Sequence, residues 1–295
     1  MASVSPVSDP AGLPPIEAFS DAASPLVFSS AHSGRKYLPE FIDSVQLDLM
    51  TLRRSEDAFV DEIFAAVPHS GASFLKAHFP RVYVDPNREA YELDPAMFVQ
   101  PLPAYVNTTS LRVRAGLGTV PRVVASGDAI YASKLDFPLI VQRLEQNYFP
   151  FHSALDVLLR QAHARYGCYL LIDCHSMPSV AGICDADAGL RRADFVLGDR
   201  FGTSCAPLLT QLVEGFLTAL GYSVRRNIPY AGGYITSHYG RPAEGRHTLQ
   251  IEINRALYMD EETITPHAGL ARLHEQMTQL TQLLVERGPD AIRTR

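Results

Sequence analysis

Residues 169–176 read YLLIDCHS, a short apolar run that ends on a carboxylate and an imidazole. An apolar run bounded by polar residues predicts a buried strand of a parallel or mixed sheet. Asp173 and His175 are two positions apart, so their side chains leave an extended backbone on the same side. The carboxylate can then orient the imidazole while the other ring nitrogen binds a metal or a proton. The same residues also fit a polar strand end whose histidine only bonds its neighbours, and this stretch alone leaves both interpretations open.

A second apolar run ends on a histidine near the start of the chain. Residues 25–30 read PLVFSS and predict a strand, and His32 follows with Gly34 placed for a tight turn. A lone histidine after a strand is more often structural than functional. Two such histidines in one chain favour a shared site, because open α/β sheets collect their chemistry at the carboxyl ends of strands.

An acidic triplet, SED at 55–57, divides a stretch of helical periodicity over residues 39–66. Ser55 or Asp57 can cap the second of the two predicted helices, which is a structural role. The alternative is that Glu56 or Asp57 supplies a carboxylate ligand at the start of that helix. The residues leave this choice open.

A further carboxylate lies on the predicted strand 247–255, which alternates apolar and polar residues. Glu252 shares the polar face of this strand with Gln250 and Asn254. If helices cover both faces of the sheet, Glu252 is semi-buried and its pKa is raised, which suits a general base. The alternative is an edge strand with one face in water.

Cationic and flexible segments complete the set of candidates. Residues 79–84 predict a strand that leads into DPNR at 85–88, where Arg88 can hold a carboxylate through a bidentate fork with Asn87 beside it. A surface pair after a turn is the alternative. The Gly- and Tyr-rich stretch 230–245 predicts a loop that either covers a site or merely connects two elements.

The composition limits the class of protein. The chain has 295 residues, of which 46% are hydrophobic and 20% charged, so it can bury a substantial core. A net charge of −6 disfavours a nucleic-acid or anionic-membrane surface, and no apolar run reaches the about 18 residues of a membrane span. The first residues show no secretory signal, which predicts a cytoplasmic protein. The cysteines lack metal-binding spacing and suit reduced thiols: Cys168, Cys174, Cys184 and Cys205.

The order of the predicted elements indicates an α/β fold. Helical patterns at 137–166, 207–220 and 261–287 alternate with the predicted strands. We expect a single domain over residues 25–290, with a mixed, mostly parallel twisted sheet flanked by helices. Residues 1–24 are rich in Ser, Pro and Ala and predict a flexible N-terminal segment.

Together the candidate residues predict a catalytic metal site. Two histidines, His32 and His175, and one carboxylate, Glu56 or Asp57, leave the fourth position of a zinc ion open for water. Zinc lowers the pKa of bound water to about 7 and polarises a carbonyl group. Glu252 can then carry a proton from that water to a leaving amine, while the arginines hold a substrate carboxylate and stabilise an oxyanion. The set predicts hydrolysis of an amide on a small acidic molecule.

Five motifs resemble, in the same order, those of the N-formylglutamate amidohydrolases, and the resemblance spans residues 26–285. The resemblance implies hydrolysis of N-formyl-L-glutamate to formate and L-glutamate, a step of histidine breakdown. It also implies a fold similar to the zinc carboxypeptidases and aspartoacylase. The motifs are HSGR at 32–35, SED at 55–57, DPNR at 85–88, DCHS at 173–176 and QIEINR at 250–255.

The resemblance also implies a metal set. His32 and His175 match the zinc histidines of the family. The carboxypeptidase-like motif places a glutamate three residues after its first histidine, whereas Arg35 occupies that position here, so the acidic ligand comes from elsewhere. Asp57 matches the aspartate of the family's motif best, and Glu56 is the alternative.

The remaining roles follow from the same resemblance. Glu252 matches the catalytic glutamate, and Asn87 with Arg88 matches the pair that grips the substrate carboxylate. Arg81 is placed like the arginine that assists the scissile carbonyl. The alternatives are a zinc hydrolase of another N-acyl amino acid or of a peptide C-terminus, and a catalytically silent binding protein. Expected partners are a small acidic substrate, with neither nucleic acid nor membrane, while the oligomeric state stays open.

Overall fold

The computed structural model of the chain describes residues 14–20, 23–124, 126–182 and 188–293. Most of the predicted N-terminal segment lies outside the described residues, as does Cys184. Within that segment, Ile16–Phe19 pairs with the sheet as an edge strand. These four residues of the predicted N-terminal segment 1–24 therefore belong to the sheet of the domain that was predicted to begin at residue 25.

One seven-stranded sheet runs through the described residues, and a separate two-stranded hairpin lies beside it. The strands are β1 (Ile16–Phe19), β2 (Leu26–Ser30), β3 (Ser73–Ala77), β4 (Tyr169–Met177), β5 (Phe195–Gly198), β6 (Val224–Arg226), β7 (Arg246–Asn254), β8 (Met259–Asp260) and β9 (Thr265–Pro266). The order in the large sheet is β1-β3-β2-β4-β7-β5-β6. Strands β3, β2, β4 and β7 are parallel, whereas β1 and β5 are antiparallel to the neighbours that bound this set. The predicted mixed, mostly parallel sheet is confirmed.

Helices cover both faces of this sheet, as its buried central strands require. They are α1 (Pro39–Ile42), α2 (Leu49–Arg53), α3 (Val60–Ile63), α4 (Leu111–Arg114), α5 (Phe137–Arg143), α6 (Phe149–Tyr166), α7 (Pro207–Ala219), α8 (Tyr234–Tyr239) and α9 (Gly269–Arg293). A π-helical segment, Leu144–Tyr148, joins α5 to α6. None of the described helices is long and apolar enough to cross a membrane.

Side-chain alternation along the central strands divides the core into two layers. On β4, Leu170, Ile172 and Cys174 belong to the cluster that α3, α7 and α9 cover. Leu171 belongs to the cluster on the other face, which α5, α6 and α8 cover. Because side chains alternate, His175 lies on the same face as Leu171, toward α6 and α8. The polar residues of β4 therefore project into one defined side of the sheet.

Strand β7 has the same division, and the register places its polar face beside that of β4. Leu249, Ile251 and Ile253 pack in the layer of α7 and α9. Glu252 lies on the opposite face, and its Cα partner across the parallel pair is His175. The predicted covered strand is confirmed, and the predicted alternative of an edge strand is excluded.

The strand predicted at residues 79–84 is wrong. The strand in this region is β3, which ends at Ala77, and the carbonyl of Pro80 then accepts a hydrogen bond from the Tyr83 backbone N–H at 2.9 Å. Pro80 cannot donate to a sheet ladder, so the apolar residues after it pack as a turn in the core. Apolar residues fit a buried strand and a buried turn equally well, so the composition of residues 79–84 did not distinguish a strand from a turn.

Three helix and loop boundaries also differ from the prediction. The periodic stretch 39–66 is divided into the short helices α1, α2 and α3. The predicted loop 230–245 contains α8 and a 3-10 turn, Pro242–Glu244. The last helix begins at Gly269, because the hairpin of β8 and β9 takes up the residues just before it.

Candidate metal centre and active site

Three of the predicted site residues meet where β2, β4 and β7 approach their carboxyl ends. His32 follows β2, His175 is the seventh residue of β4 and Glu252 is the seventh residue of β7. All three side chains are buried, with 2%, 2% and 7% of their residue surface exposed. Parallel strands bring residues that are distant in sequence to one edge of the sheet. The predicted convergence of the two histidines is therefore found in the structure.

A carboxylate completes a cluster that can hold a metal ion. The ligand atoms of His32, Asp57 and His175 all lie within 4.8 Å of one another. Asp57 Oδ2 is 2.9 Å from His175 Nδ1 and 3.4 Å from His32 Nδ1. His32 Nδ1 is buried and has no hydrogen-bond partner among the described residues. Because an unsatisfied buried nitrogen costs stability, its place beside an anionic oxygen fits a bound cation.

Asp57, and not Glu56, is the carboxylate of this cluster. Glu56 accepts a hydrogen bond from the Tyr37 hydroxyl at 2.8 Å and pairs with Arg53 at 3.2 Å. Asp57 Oδ1 accepts a hydrogen bond from Arg255 Nη2 at 3.0 Å. This bond holds the carboxyl group and leaves Oδ2 directed at the histidines. The predicted helix-capping role of Asp57 is not found, since α3 begins after Phe59 without a side-chain cap.

The surroundings of Asp57 in the cluster keep its carboxyl group ionised. Burial raises the pKa of Asp57, but the close contacts with His175 and His32 and the positive charges of their rings outweigh burial and hold it well below its usual range. Burial lowers the pKa of His175, but Asp173 and Asp57 outweigh it and raise the pKa well above its usual value. A cation that binds Nδ1 of His175 must therefore displace a proton.

A carboxylate also lies close to the far nitrogen of each histidine. Asp85 Oδ1 is 2.7 Å from His32 Nε2, and Asp173 Oδ2 is 3.0 Å from His175 Nε2. Ser29 Oγ donates to Asp173 Oδ1 at 2.9 Å and so fixes that carboxylate. Carboxylate–histidine pairs of this kind set the ring orientation and tautomer in metal sites. Both rings therefore present Nδ1 to the space beside Asp57.

Asp173 lies beside His175, so its orienting role stays a prediction, and Asp85 is an additional candidate residue that was not predicted. Asp85 also accepts hydrogen bonds from the backbone N–H of Asn87 and from Arg81 Nη2, both at 2.8 Å. The available signal was its position in DPNR, two residues before Asn87. A carboxylate in a turn is common enough that this position alone indicates a turn as readily as a site.

Glu252 lies beside the cluster in surroundings that suit proton transfer. Burial is the main cause that raises the pKa of Glu252 to about 7, and the positive charge of His175 partly opposes it. Glu252 Oε1 accepts a hydrogen bond from Gln250 Nε2 at 2.9 Å. A carboxyl group that titrates near neutral pH both accepts and releases protons readily. The burial of Glu252 that the sequence predicted is thus found in the structure.

Arg81 and Arg88 bring positive charge to the same place. Arg81 Nη2 is 2.8 Å and Arg88 Nη2 is 3.7 Å from Asp85 Oδ2. Burial, with the positive charges of Arg112 and Arg81, lowers the pKa of Arg88 to about 10. Arg88 is therefore a buried cation at neutral pH.

One of the two side-chain contacts of Asn87 depends on which nitrogen of His175 carries a proton. Asn87 Oδ1 accepts a hydrogen bond from the Ile235 backbone N–H at 2.8 Å, and its Nδ2 is 3.2 Å from His175 Nε2. One ring nitrogen carries either a hydrogen or a lone pair, so His175 Nε2 cannot satisfy both Asp173 and Asn87. A cation bound at Nδ1 would keep the hydrogen on Nε2, which lies 3.0 Å from Asp173 Oδ2. The amide N–H of Asn87 would then be available to a ligand.

A cavity of about 430 Å³ opens over these groups. Its volume suits a small organic molecule. Tyr230, Gly232 and Gly233 line one side, so part of the predicted loop 230–245 reaches the site. The cavity is lined by all seven predicted site residues: His32, Asp57, Arg81, Asn87, Arg88, His175 and Glu252.

Comparisons with known proteins agree over most of the chain. Residues 24–259 match the model of the family described as FGase, N-formylglutamate amidohydrolase. An N-formylglutamate deformylase of Pseudomonas aeruginosa is 30% identical over 267 residues, which are 89% of this chain and 91% of that protein. One of Pseudomonas putida is 29% identical over 282 residues, 92% of this chain and 96% of that protein. A crystal structure of N-formylglutamate amidohydrolase from Ralstonia eutropha JMP134 is 38% identical, with a TM-score of 0.86, over 94% of this chain and 100% of that one.

Proposed function

The chain belongs to the N-formylglutamate amidohydrolase family, and we propose that it hydrolyses N-formyl-L-glutamate to formate and L-glutamate. The observation that carries the proposal is the buried cluster of His32, Asp57 and His175 beside Glu252, in a cavity lined by arginines. Hydrolysis of a formamide needs an activated water, a proton carrier and a group that holds an anionic substrate. Residues of this cavity can supply each of them.

We propose zinc as the ion, bound by His32, Asp57 and His175 with a fourth position open to water. Two imidazole nitrogens and one carboxylate oxygen form a ligand set that catalytic zinc accepts. The unsatisfied Nδ1 of His32 and the carboxylates behind both rings support this assignment. When bound, zinc lowers the pKa of a water molecule and polarises the formyl carbonyl.

Glu252 moves the proton in this proposal. Its carboxylate takes a proton from the attacking water, whose oxygen forms a bond to the formyl carbon. The carbon–nitrogen bond then breaks, and Glu252 delivers the proton to the amine nitrogen of glutamate. A pKa of about 7 places the group where both transfers are possible near neutral pH.

Arginines stabilise the charges that the substrate carries or develops. Arg81 Nη1 is 4.0 Å from Asp57 Oδ1, so its guanidinium borders the cluster and can donate to the carbonyl oxygen as negative charge grows there. Arg88, with the amide of Asn87, holds the α-carboxylate through charge-assisted hydrogen bonds. These roles are part of the proposal.

Formate release tests the proposed function. The zinc-loaded protein is assayed with N-formyl-L-glutamate, and N-acetyl-L-glutamate and N-formyl-L-aspartate serve as comparison substrates. We expect the highest kcat/KM with N-formyl-L-glutamate. A higher value with N-acetyl-L-glutamate would mean a hydrolase of another N-acyl amino acid. No hydrolysis of any of the three would favour a catalytically silent protein.

The pathway and the compartment stay predictions. Histidine breakdown is the process implied by the family. A reducing, cytoplasmic location is supported by Cys174 and Cys205, which are buried free thiols among the described residues.

A further inference from the structure

We propose that Arg112 binds the side-chain carboxylate of the substrate and makes the site selective for dianionic N-formyl amino acids. The inference deepens the proposed function, because the reaction it refers to is the proposed hydrolysis. The position of Arg112 is taken from the cavity alone. N-formyl-L-glutamate carries two carboxylates, and the α-carboxylate is already assigned to Arg88 and Asn87. The other carboxylate needs a binding partner of its own in the same cavity, and a second cation there would supply one.

Main-chain contacts place Arg112 next to Arg88. Arg112 lies on the one-turn helix α4, and its carbonyl accepts a hydrogen bond from the Leu117 backbone N–H at 2.8 Å. The carbonyl of Leu117 in turn accepts a hydrogen bond from Arg88 Nε at 3.0 Å. Both arginines line the cavity above the metal cluster. The helix that carries Arg112 is thus tied directly to the residue that holds the first carboxylate.

Within the part of the chain that the structure describes, Arg112 is a cation without an anionic partner. Among the described residues, none forms a hydrogen bond or an ion pair with its guanidinium group. By contrast, Arg122 on the same segment pairs with Asp94 at 2.7 Å. The charge of Arg112 acts unfavourably on Arg88, although burial is the larger cause of the lowered pKa of Arg88. Two like charges that face one cavity attract an anion between them.

An apolar wall lies beside these two cations. The segment after Arg112 lines the cavity with Ala115, Leu117, Val123 and Val124. Its turns are held together by hydrogen bonds from residues 122 and 123 to the carbonyl of Gly116, at 2.8 and 3.3 Å. Aliphatic side chains suit the two methylene groups that separate the carboxylates of glutamate. The wall and Arg112 therefore match an acidic side chain of this kind.

Arg54 is the competing candidate for this role. It also lines the cavity, and none of the described residues pairs with its guanidinium group. However, its carbonyl accepts a hydrogen bond from Arg255 Nη1 at 3.0 Å, and Arg255 holds Asp57. This contact places the backbone of Arg54 beside the residue that holds Asp57, whereas Arg112 belongs to the segment that forms the apolar wall. We therefore assign the second carboxylate to Arg112.

Substrate pairs that differ in one charge test the assignment. Arg112→Gln, Arg54→Gln and Arg114→Gln are assayed with N-formyl-L-glutamate and with N-formyl-L-glutamine, which is similar in size but has a neutral side chain. Arg114 is the matched control, because it is exposed on α4, as Arg112 is, but does not line the cavity. We expect Arg112→Gln to lose at least about 10-fold in kcat/KM for the glutamate substrate and little for the glutamine substrate. Arg114→Gln should change neither value.

Two results would overturn the assignment. An equal loss on both substrates would mean that Arg112 only supports the fold of the cavity. A selective loss in Arg54→Gln without one in Arg112→Gln would transfer the role to Arg54.

A binding experiment separates this inference from the proposed reaction. Calorimetry compares glutarate, which has both carboxylates of glutamate, with butyrate, which has one. Wild type and Arg114→Gln should prefer glutarate, and Arg112→Gln should lose that preference. If wild type releases no formate while Arg112→Gln loses the preference, the reaction is refuted and the anion site stands. If Arg112→Gln binds glutarate like wild type, the site is refuted whatever the reaction.

Discussion

Replacing Glu252 by Gln should strongly slow catalysis and stabilise the fold at neutral pH. The amide keeps the shape of the side chain, and its oxygen can still accept the hydrogen bond that Gln250 Nε2 donates at 2.9 Å. What is lost is the negative charge and the ability to accept a proton. Loss of a general base lowers kcat by about 10²- to 10⁴-fold. The zinc content should not change, because Glu252 is outside the ligand set.

The size of the stability change follows from the pKa of this carboxyl group. Burial raises the pKa of Glu252 from 4.5 to about 7, so the folded state favours the protonated form. The stabilisation from this group is complete below the unfolded pKa and is lost as the pH rises through the folded pKa. The variant lacks this charge. Between pH 5 and pH 8 its advantage over wild type should therefore grow by about 2 to 3 kcal/mol.

Urea unfolding of the metal-free proteins at both pH values measures the stability change, and formate release by the zinc-loaded proteins measures catalysis. Glu275→Gln, on the exposed face of α9, is the matched control and should alter neither. An advantage that does not grow with pH would refute the raised pKa. A kcat within about 10-fold of wild type would refute the role as general base. A loss of zinc would make Glu252 a ligand instead.

Three further substitutions test separate parts of the site. Asp57→Asn should lose zinc on dialysis whereas Glu56→Gln should retain it, and the reverse result in metal analysis would transfer the ligand role to Glu56. Asp173→Asn should weaken zinc binding by about 10- to 100-fold, because the carboxylate fixes the His175 ring, and unchanged affinity in a chelator competition would contradict this. Arg88→Ala should lower kcat/KM for N-formyl-L-glutamate by at least about 10-fold but leave 4-formamidobutanoate, which lacks the α-carboxylate, unaffected. Equal losses would make Arg88 structural.

The strands that build the site could be predicted because their signals are local. Strands β2, β4 and β7 are apolar runs or alternating segments that end on polar residues, and the structure has strands at all three places. Alternation alone assigned His175 and Glu252 to a polar face. The parallel register that sets these two residues opposite each other is a tertiary feature. It could be expected only from the rule that such sheets gather chemistry at one edge.

The choice between Glu56 and Asp57 could not be made from local patterns. The two residues are adjacent and both acidic, so composition and spacing treat them alike. In the structure, the Asp57 backbone N–H donates a hydrogen bond to the His32 carbonyl at 3.0 Å. This contact between distant parts of the chain places Asp57 beside the histidines, whereas the Glu56 side chain is hydrogen-bonded to Tyr37. Before the structure, only the resemblance to the N-formylglutamate amidohydrolases favoured Asp57 over Glu56.

The loop prediction at 230–245 failed for a related reason. Its glycines suggest a flexible connection, but Gly233 is required by packing, since a Cβ there would collide with the side-chain amide of Asn87. Helix α8 follows directly, and the Ile235 backbone N–H donates to Asn87 Oδ1. A glycine that allows close approach and a glycine that allows flexibility look the same in sequence.

Titration of the metal-free protein with zinc tests the central claim most directly. Formate release from N-formyl-L-glutamate and bound zinc are measured in parallel as zinc is added. Activity should rise in proportion to bound zinc and level off at one equivalent per chain. Full activity of the metal-free protein, or activity that does not follow zinc bound by His32, Asp57 and His175, would contradict the proposed site.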